Sequence, residues 1–225
     1  MSLFILSVGG SIVIQENIHV DFLKAFKAFI LDQVAHGHRF VIIPGGGSIA
    51  RKYQRAAAAI STLAKEDIDW LGIHATRLNA HLLRSIFREV AHPKVFKDPT
   101  EPITAKEPVI IGTGWKPGWS TDYDAVLFAK NFRAKTIINL TNTDFIYDKD
   151  PRKHPDAKVL KEVSWPAFRA LVGDTWDPWL NVPFDPIASK EAEALGLKVV
   201  ILDGTNIKNL EACLAGKPFQ GSVIR

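Results

Sequence analysis

An apolar stretch that ends on two glycines is the feature of this sequence that most limits its possible folds. Residues 3–8 have the length and composition of a buried β-strand, and Gly9-Gly10-Ser11 follows them directly. The pattern returns where the apolar residues 40–43 lead into Gly45-Gly46-Gly47 and then into a helix start. Glycine allows positive φ and close approach to a ligand, and amides at a helix start bind anions. The two strand ends therefore predict a cradle for two phosphate groups.

A third glycine-rich loop follows another apolar segment. Residues 108–112 lead into a loop that contains Gly114 and Gly118, and Ser120 is placed to cap the helix that follows. Between the first two loops, the apolar residues of 21–34 recur every three to four positions, as on one face of a helix. Apolar strands thus alternate with helices. This order predicts an α/β fold, a three-layer αβα sandwich with a mainly parallel central sheet.

The same patterns predict the remaining elements. Residues 221–224 predict a strand at the edge of the sheet, and residues 173–184, with Trp176 and Trp179, predict an irregular loop. The chain has 225 residues, 47% of them apolar, which suits one α/β domain over residues 1–225. Further helices are predicted at 48–62, 67–91, 123–132, 164–172, 185–195 and 207–214, and further strands at 135–140 and 198–202.

Charge and composition narrow the classes of function. The formal net charge of +4 suits an anionic ligand, but the basic residues are scattered, so no nucleic-acid partner is expected. The single Cys213 excludes an internal disulfide framework and any multi-cysteine metal site. No apolar run reaches the ~18 residues of a membrane span, and we expect a soluble, cytoplasmic protein without a membrane partner. The histidines lack the HExxH spacing, so no metal site formed by protein side chains is expected.

Six motifs in the same order resemble the amino acid kinase superfamily, and most closely its uridylate (UMP) kinases of the archaeal type. Together they extend over nearly the entire chain, which makes the resemblance far more specific than one glycine pair. The motifs are Gly9-Gly10-Ser11, Gly45–Arg51, Leu71–Ala80, Pro117–Asp122, Thr141–Pro151 and Asp185–Lys190.

The resemblance implies transfer of the ATP γ-phosphoryl group to UMP, giving UDP and ADP for pyrimidine nucleotide biosynthesis. ATP and UMP would be the ligands, Mg²⁺ would accompany ATP, and the family's usual assembly implies a homo-oligomer, a hexamer. The family pattern assigns ATP binding to Gly9, Gly10, Ser11, Gly47, Arg51, Thr141, Asn142, Tyr147 and Asp150. It assigns UMP binding to Gly46, Asp69, Gly114, Trp115, Lys116, Pro117, Gly118, Trp119, Ser120 and Thr121.

Three residues are candidates for the catalytic step. Lys190 resembles the family lysine that meets the charge of the transferring phosphoryl group, and Asp144 resembles the aspartate that orients basic groups around it. Lys116 is a further candidate because two usual phosphate-facing lysines are absent, at Ser7 and at Ser48. Phosphoryl transfer depends on positioning and charge neutralisation, so another cation is needed.

Two alternatives remain open at this point. The missing lysines favour a non-catalytic nucleotide or oxyanion binder of the same fold, like the molybdate-storage relatives of UMP kinase. A related kinase with another small acceptor, such as a carboxylate, a carbamate or an isoprenoid phosphate, is the other alternative. Asp69 together with Ser120 and Thr121 favours a nucleotide acceptor.

Overall fold

A computed structural model describes residues 2–180 and 182–225. The centre of the protein is a seven-stranded sheet with the strand order β3-β2-β1-β4-β8-β9-β7. The first five strands in that order are parallel, whereas β9 pairs antiparallel with β8 and β7 follows β9 in parallel. A separate antiparallel pair is formed by β5 and β6. The strands are β1 Leu3–Val8, β2 Arg39–Pro44, β3 Val109–Ile111, β4 Thr136–Thr141, β5 Ile146–Tyr147, β6 Val159–Leu160, β7 Glu162–Val163, β8 Lys198–Asp203 and β9 Ser222–Ile224.

In the part of the chain that the structure describes, eight helices connect and cover these strands. Ser120, the predicted cap of α5, accepts a hydrogen bond from the Asp122 amide. Asp185, where a helix was predicted to begin, accepts from the amides of Ile187 and Ala188. The helices are α1 Gly10–Val13, α2 Val20–Ala35, α3 Gly47–Ile60, α4 Lys65–Ile86, α5 Thr121–Asn131, α6 Trp165–Val172, α7 Pro186–Ala194 and α8 Ile207–Leu214.

Two hydrophobic cores lie on opposite faces of the sheet. Successive strand residues alternate between them: Leu6 packs with residues of α2, α4 and α8, whereas Ile5 packs with residues of α5, α6 and α7. Both faces of the central strands are therefore buried, which explains their continuous apolar sequences. The predicted three-layer arrangement with a mainly parallel sheet is confirmed.

The position of β1 determines where a ligand can bind. The chain runs outward from β1 through β2 to β3, and then returns to place β4 on the other side of β1. In parallel α/β sheets, the crevice for ligands lies beyond the carboxyl ends of the strands at such a reversal. All three glycine loops lie at this end, after β1, β2 and β3.

The prediction of an edge strand at residues 221–224 was wrong. This segment forms β9, which lies between β8 and β7 inside the sheet. The outer neighbour β7 has only the two residues Glu162 and Val163, too few to show a period in the sequence. Helix α4 also ends earlier than predicted, at Ile86, with residues 87–90 continuing as turns. Among the described residues, no helix has both the length and the apolar character needed to cross a bilayer.

Candidate active site

A cavity of about 250 Å³ lies beyond the carboxyl ends of β1, β2 and β3, and we call it the first cavity. Its floor comes from the glycine loops and from the first turns of α3. Its walls come from α4, from the loop before α5 and from the segment before α7. The lining residues are Gly10, Ser11, Gly46, Gly47, Ala50, Arg51, Gln54, Asp69, Gly72, Ile73, Thr76, Gly114, Lys116, Trp119, Ser120, Thr121, Asp124, Trp176 and Pro178.

The first two glycine loops touch each other backbone to backbone. A Cβ atom on Gly10 would lie 2.0 Å from the Gly47 nitrogen and 2.8 Å from the Gly45 carbonyl carbon. Gly47 itself has φ +66°, a conformation that side chains rarely adopt. Only glycine at both positions allows this approach. The contact between the two loops therefore explains why glycines follow the first two strands.

Side chains of α4 hold the glycine loops in place. The Asn79 amide donates to the Gly45 carbonyl at 2.7 Å and approaches the Gly46 carbonyl at 3.3 Å. On the third loop, the Thr76 hydroxyl accepts from the Gly114 amide at 3.0 Å, and Arg77 donates to the Trp115 carbonyl at 3.0 Å. One helix face thus sets the positions of two loops that are far apart in sequence.

Asp69, in the second turn of α4, is one of two buried carboxylates that line the first cavity, the other being Asp124. Asp69 is 8% exposed, and its Oδ2 accepts a hydrogen bond from the Gly118 amide at 2.9 Å. The Trp176 indole Nε1 lies 3.4 Å from both carboxylate oxygens. Burial raises the pKa of Asp69, and the Gly118 and Trp176 hydrogen bonds oppose that rise. Asp69 therefore joins the third glycine loop to the segment that carries Trp176.

Lys116 lies against an aromatic wall of the first cavity. Its Nζ is 4.0 Å from the centre of the Trp115 ring and 5.5 Å from that of Trp119, within the range of cation–π attraction. Trp119 also donates from Nε1 to Asp124 Oδ1 at 3.1 Å. Burial raises the pKa of Asp124 well above its usual range. The ammonium group is thus held at the cavity by its neighbours in the same loop.

Two carboxyl groups, those of the buried Asp185 and the half-buried Asp122, lie beneath the third loop. Asp122 accepts from the Ser7 hydroxyl at 3.0 Å and from the Asp185 amide at 3.2 Å, while Asp185 Oδ2 accepts from the Ser120 amide at 2.6 Å. No salt bridge within 4.0 Å reaches Asp122 or Asp185 from the described part of the chain. Burial raises the pKa of Asp122 to about 7, and the nearby charge of Asp185 adds to the rise. Ser7, where the family pattern has a lysine, thus leaves two carboxyl groups together without a nearby cation.

A second cavity, of about 270 Å³, lies on the other side of β1, beyond the ends of β4 and β8. Most of its lining is polar and belongs to exposed turns. Asp144 accepts from the Tyr147 hydroxyl at 3.4 Å, and Asn209 exchanges two hydrogen bonds with the Gln220 backbone. The lining residues are Asn142, Thr143, Asp144, Tyr147, Pro151, Asp203, Asn206, Asn209 and Gln220.

The predicted site residues divide between these two cavities. The first cavity brings together four predicted ATP residues, Gly10, Ser11, Gly47 and Arg51, and seven predicted UMP residues, Gly46, Asp69, Gly114, Lys116, Trp119, Ser120 and Thr121. The second contains Asn142, Asp144 and Tyr147.

The other predicted residues lie outside the two linings, as far as the described residues define them. Gly9 donates to the Leu140 carbonyl at 2.8 Å and so links the loops after β1 and β4. Asp150 binds the Arg152 guanidinium at 3.0 and 3.1 Å, and Lys190 is exposed on α7. The remaining ones are Thr141 beside the second cavity and Trp115, Pro117 and Gly118 in the third loop.

Several lining residues were not found from the sequence. Gln54, Thr76, Asp124, Trp176 and Pro178 in the first cavity carry no motif spacing of their own. A signal existed for Thr76, because the quoted motif Leu71–Ala80 includes it along with Arg77 and Asn79. In the second cavity, Asp203, Asn206, Asn209 and Gln220 come from β8 and the segments after it, far from the Thr141–Pro151 motif.

Within residues 2–180 and 182–225, no group of three or more His, Cys, Asp or Glu side chains is arranged to hold a metal ion. Magnesium in kinase sites is usually held by one or two carboxylates together with substrate phosphates and water. The described residues do not form a protein cage for a metal ion.

Comparisons with known proteins agree with this geometry. The model of the amino acid kinase family matches residues 2–203. The uridylate kinase of Thermococcus kodakarensis is 39% identical over 163 residues, which are 71% of this chain and 71% of that protein. The uridylate kinase of Sulfurisphaera tokodaii is 33% identical over 224 residues, covering 98% of this chain and 97% of the relative.

A solved structure extends the likeness to the whole chain. The crystal structure of the uridylate kinase from Archaeoglobus fulgidus has a TM-score of 0.83 and 30% identity, and 100% of each chain is covered. These matches confirm the resemblance to archaeal-type uridylate kinases that the six motifs predict.

Proposed function

Because the chain belongs to the amino acid kinase family, we propose that it transfers the γ-phosphoryl group of ATP to UMP, producing UDP and ADP. The observation that carries the proposal is the first cavity. It combines interlocked glycine amides, the guanidinium of Arg51 and the buried carboxylate of Asp69 within one space. Relatives named uridylate kinase that match nearly the whole chain support UMP as the acceptor.

The ATP phosphates would bind at the floor of the first cavity. The amides of Gly10, Ser11 and Gly47 can donate to phosphate oxygens, and Arg51 offers a planar pair of donors. The adenosine part would occupy the second cavity, beside Asn142 and Tyr147. Gly9 links the loops after β1 and β4, so a nucleotide that extends from one cavity to the other would pass over it.

UMP would bind at the opposite wall of the first cavity. Asp69 would accept from a ribose hydroxyl, while Gly46, Gly114, Ser120 and Thr121 would hold the phosphate and the ribose. In this arrangement the acceptor oxygen faces the γ-phosphoryl group, and catalysis consists mainly of positioning and charge stabilisation.

Three cations and the magnesium of MgATP would neutralise the charge that gathers between the nucleotides. Arg51 and Lys116 line the first cavity, and the aromatic wall limits the freedom of the Lys116 ammonium. Lys190 would approach the transferring group from α7, and Asp144 would orient basic groups from the second cavity. Magnesium supplies charge neutralisation at the ATP phosphates when it is bound.

The setting of the reaction is part of the same proposal. We assign the protein to pyrimidine nucleotide biosynthesis in the cytoplasm, as a homo-oligomer formed by one amino acid kinase-like domain per chain. The family resemblance supports the assembly, and the single Cys213 suits a reducing compartment.

A second candidate function is a nucleotide or oxyanion binder without turnover. The observation that favours it is the contact between Ser7 and Asp122, because a hydroxyl occupies the position where the family pattern has a lysine. The absence of a lysine at position 48, where the chain has Ser48, also favours this second candidate. Binding without transfer needs positioning of phosphates but not stabilisation of a transition state.

Coupled ADP release with a panel of acceptors tests the proposal. We expect UMP to give the highest kcat/KM among UMP, CMP, AMP, GMP, acetylglutamate, carbamate and isopentenyl phosphate. Arg51→Ala should lower the rate by roughly 10²-fold or more, because Arg51 lines the cavity and meets phosphate charge. Arg55→Ala is the matched control, since Arg55 lies one turn further along α3 and is absent from the described lining of the first cavity.

Three outcomes of this assay are decisive. The UMP kinase is supported if, of all the acceptors, only UMP raises ADP release above background hydrolysis. This release must also be lost in Arg51→Ala and kept in Arg55→Ala. A higher kcat/KM with another acceptor would show that this compound, and not UMP, is the preferred acceptor. Tight ATP binding without ADP release for any acceptor would favour the binder.

A further inference from the structure

The Trp-rich segment, described over residues 173–180 and 182–184, closes one side of the first cavity. Trp176 and Pro178 line the cavity, and Trp176 is half-buried. Two ion pairs tether the segment: Arg169 to Asp174 at 2.7 Å, and Lys65 of α4 to Asp177 at 3.4 Å. The segment is therefore docked onto the start of α4, next to Asp69.

The contact between Trp176 and Asp69 changes what the carboxylate can offer a ligand. The Trp176 Nε1 lies 3.4 Å from both oxygens of Asp69, and the Gly118 amide already donates to Oδ2 at 2.9 Å. An indole N–H is a donor only, and a carboxylate has about four acceptor positions. With both donors in place, Oδ1 retains room for about one strong hydrogen bond from a ligand.

From this contact, and resting on the proposed function, we propose that Trp176 is a specificity-determining residue of the acceptor site. It sets how strongly the site prefers a ribonucleotide to its 2′-deoxy analogue. Its indole shares Asp69 with the ribose, so an acceptor that lacks the 2′-hydroxyl still leaves the carboxylate hydrogen-bonded by Trp176.

The physical basis is the cost of an unpaired buried acceptor. A site that bonds a substrate hydroxyl rejects the analogue lacking it because a buried polar group then has no partner. At Asp69 the indole remains as a partner, and that penalty is reduced. The contacts from Trp176 to Asp69 are long, at 3.4 Å. A ribose hydroxyl can therefore donate to the carboxylate without breaking a short hydrogen bond.

Trp176→Phe tests the proposal because it removes the N–H and keeps an aromatic ring. The quantity to measure is the ratio of kcat/KM for UMP to kcat/KM for 2′-deoxy-UMP. We expect Trp176→Phe to raise this ratio roughly fivefold or more over the natural protein, since the deoxy analogue would then leave Asp69 short of a donor. Asp69→Ala should bring the ratio close to one.

Trp179→Phe is the matched control. Trp179 belongs to the same segment but is 46% exposed, and it is absent from the described lining of the first cavity. The same exchange of tryptophan for phenylalanine should leave the ratio unchanged there. The ratio of kcat/KM values should thus be highest in Trp176→Phe. It should be equal in the natural protein and Trp179→Phe, and lowest in Asp69→Ala.

Calorimetric binding of UMP and 2′-deoxy-UMP separates this inference from the proposed function. If no acceptor is turned over, the ratio of the two Kd values still tests Trp176, with the same expected order. A ratio in Trp176→Phe within twofold of the natural protein, by rate or by binding, would overturn the inference.

Asp177→Ala provides a second variant if Trp176→Phe does not fold. It keeps the indole but removes the ion pair with Lys65, so the segment is held less firmly over Asp69. We expect a smaller rise of the ratio in the same direction. An unchanged ratio in a folded Asp177→Ala protein would then count against the role of the segment.

Discussion

The two cavities on either side of β1 are built in different ways. The first is formed by backbone segments in direct contact, with Gly10 against Gly47 and with Asn79 and Thr76 of α4 holding the loops. The second is formed by exposed turns with hydrogen bonds between residues close in sequence, such as Asp144 with Tyr147. Rigid packing around the first cavity suits chemistry that depends on position, whereas the second needs only to hold one end of a nucleotide.

This difference implies that substitutions should act unequally in the two regions. A change in the first cavity disturbs contacts that are also part of the core, so it should affect stability and rate together. A change in the second cavity removes an exposed contact and should affect only the binding of one substrate. The following predictions test this contrast.

Gly10→Ala should have the largest effect. Its new Cβ would meet the Gly47 nitrogen at 2.0 Å, and neither backbone can move without opening the glycine loops. We expect a loss of roughly 10²-fold or more in kcat/KM, the size of effect that follows an ångström of misplacement. Overpacking should also cost roughly 1–3 kcal/mol in the free energy of unfolding.

Gly216→Ala is the control for this substitution. Gly216 also has positive φ, +67°, but no atom lies within 4 Å of the position of an added Cβ. It should lose some stability through backbone strain and keep full activity. Full activity in Gly10→Ala would show that the loops are not rigid.

The second prediction concerns the proton on Asp122, one of the two carboxyl groups beneath the third loop. The folded pKa of Asp122 is about 7, above its usual 3.8, so the folded state retains a proton that the unfolded state has already released. The free energy of unfolding should therefore fall as pH rises from about 4 to about 7, by up to about 1.4 kcal/mol per pH unit for this one proton. The stabilisation is complete below pH 4 and is lost as pH rises through 7.

Asp122→Asn isolates this contribution. Its amide oxygen can still accept from the Asp185 amide, and its NH₂ can donate to the Ser7 hydroxyl, which can rotate. Denaturation curves between pH 4.5 and 8 should show a smaller slope for Asp122→Asn, although Asp124 adds a slope of the same sign in both proteins. Parallel profiles would contradict a protonated Asp122.

Lys116→Ala should lower kcat/KM for UMP by tenfold or more, about 1.4 kcal/mol of transition-state stabilisation. The ammonium lies at the first cavity against Trp115, and we propose that it replaces the charge missing at Ser7 and Ser48. Steady-state kinetics with UMP are the measurement. Adding Ser48→Lys to the variant should restore part of the loss, whereas full activity in Lys116→Ala would mean that Arg51, Lys190 and magnesium suffice.

Lys97→Ala is the control for the loss of one positive charge. Lys97 is exposed in a loop and is absent from the described linings of both cavities. It should leave kcat/KM unchanged. An equal loss in both variants would indicate a general effect of net charge.

Asn142→Ala in the second cavity should have the smallest effect. Asn142 is exposed and lines that cavity, so its loss removes at most one or two hydrogen bonds to the adenosine part of ATP. We expect the KM for ATP to rise roughly two- to fivefold, as for one neutral hydrogen bond. The KM for UMP and the free energy of unfolding should stay the same. A loss of stability here would remove the contrast between the two cavities.

The sequence alone was sufficient for the features that depend on local patterns. The glycine loops and the alternation of strands with helices are periodic or positional signals, and the structure has them. The cap at Ser120 was also visible, because a capping side chain acts on amides two or three residues away. The family followed from six such local motifs in order.

Only the tertiary structure decided how distant segments meet. The contact between Trp176 and Asp69 joins residues 107 positions apart, and that between Ser7 and Asp122 joins residues 115 positions apart. The same applies to β9, whose place inside the sheet depends on pairing with the two-residue β7. Such contacts follow from the order of the strands and the packing of helices upon them, and no spacing along the chain encodes them. That is why the sequence could name many of the residues that meet at the two cavities, but not the distant contacts made by Trp176 and Asp122.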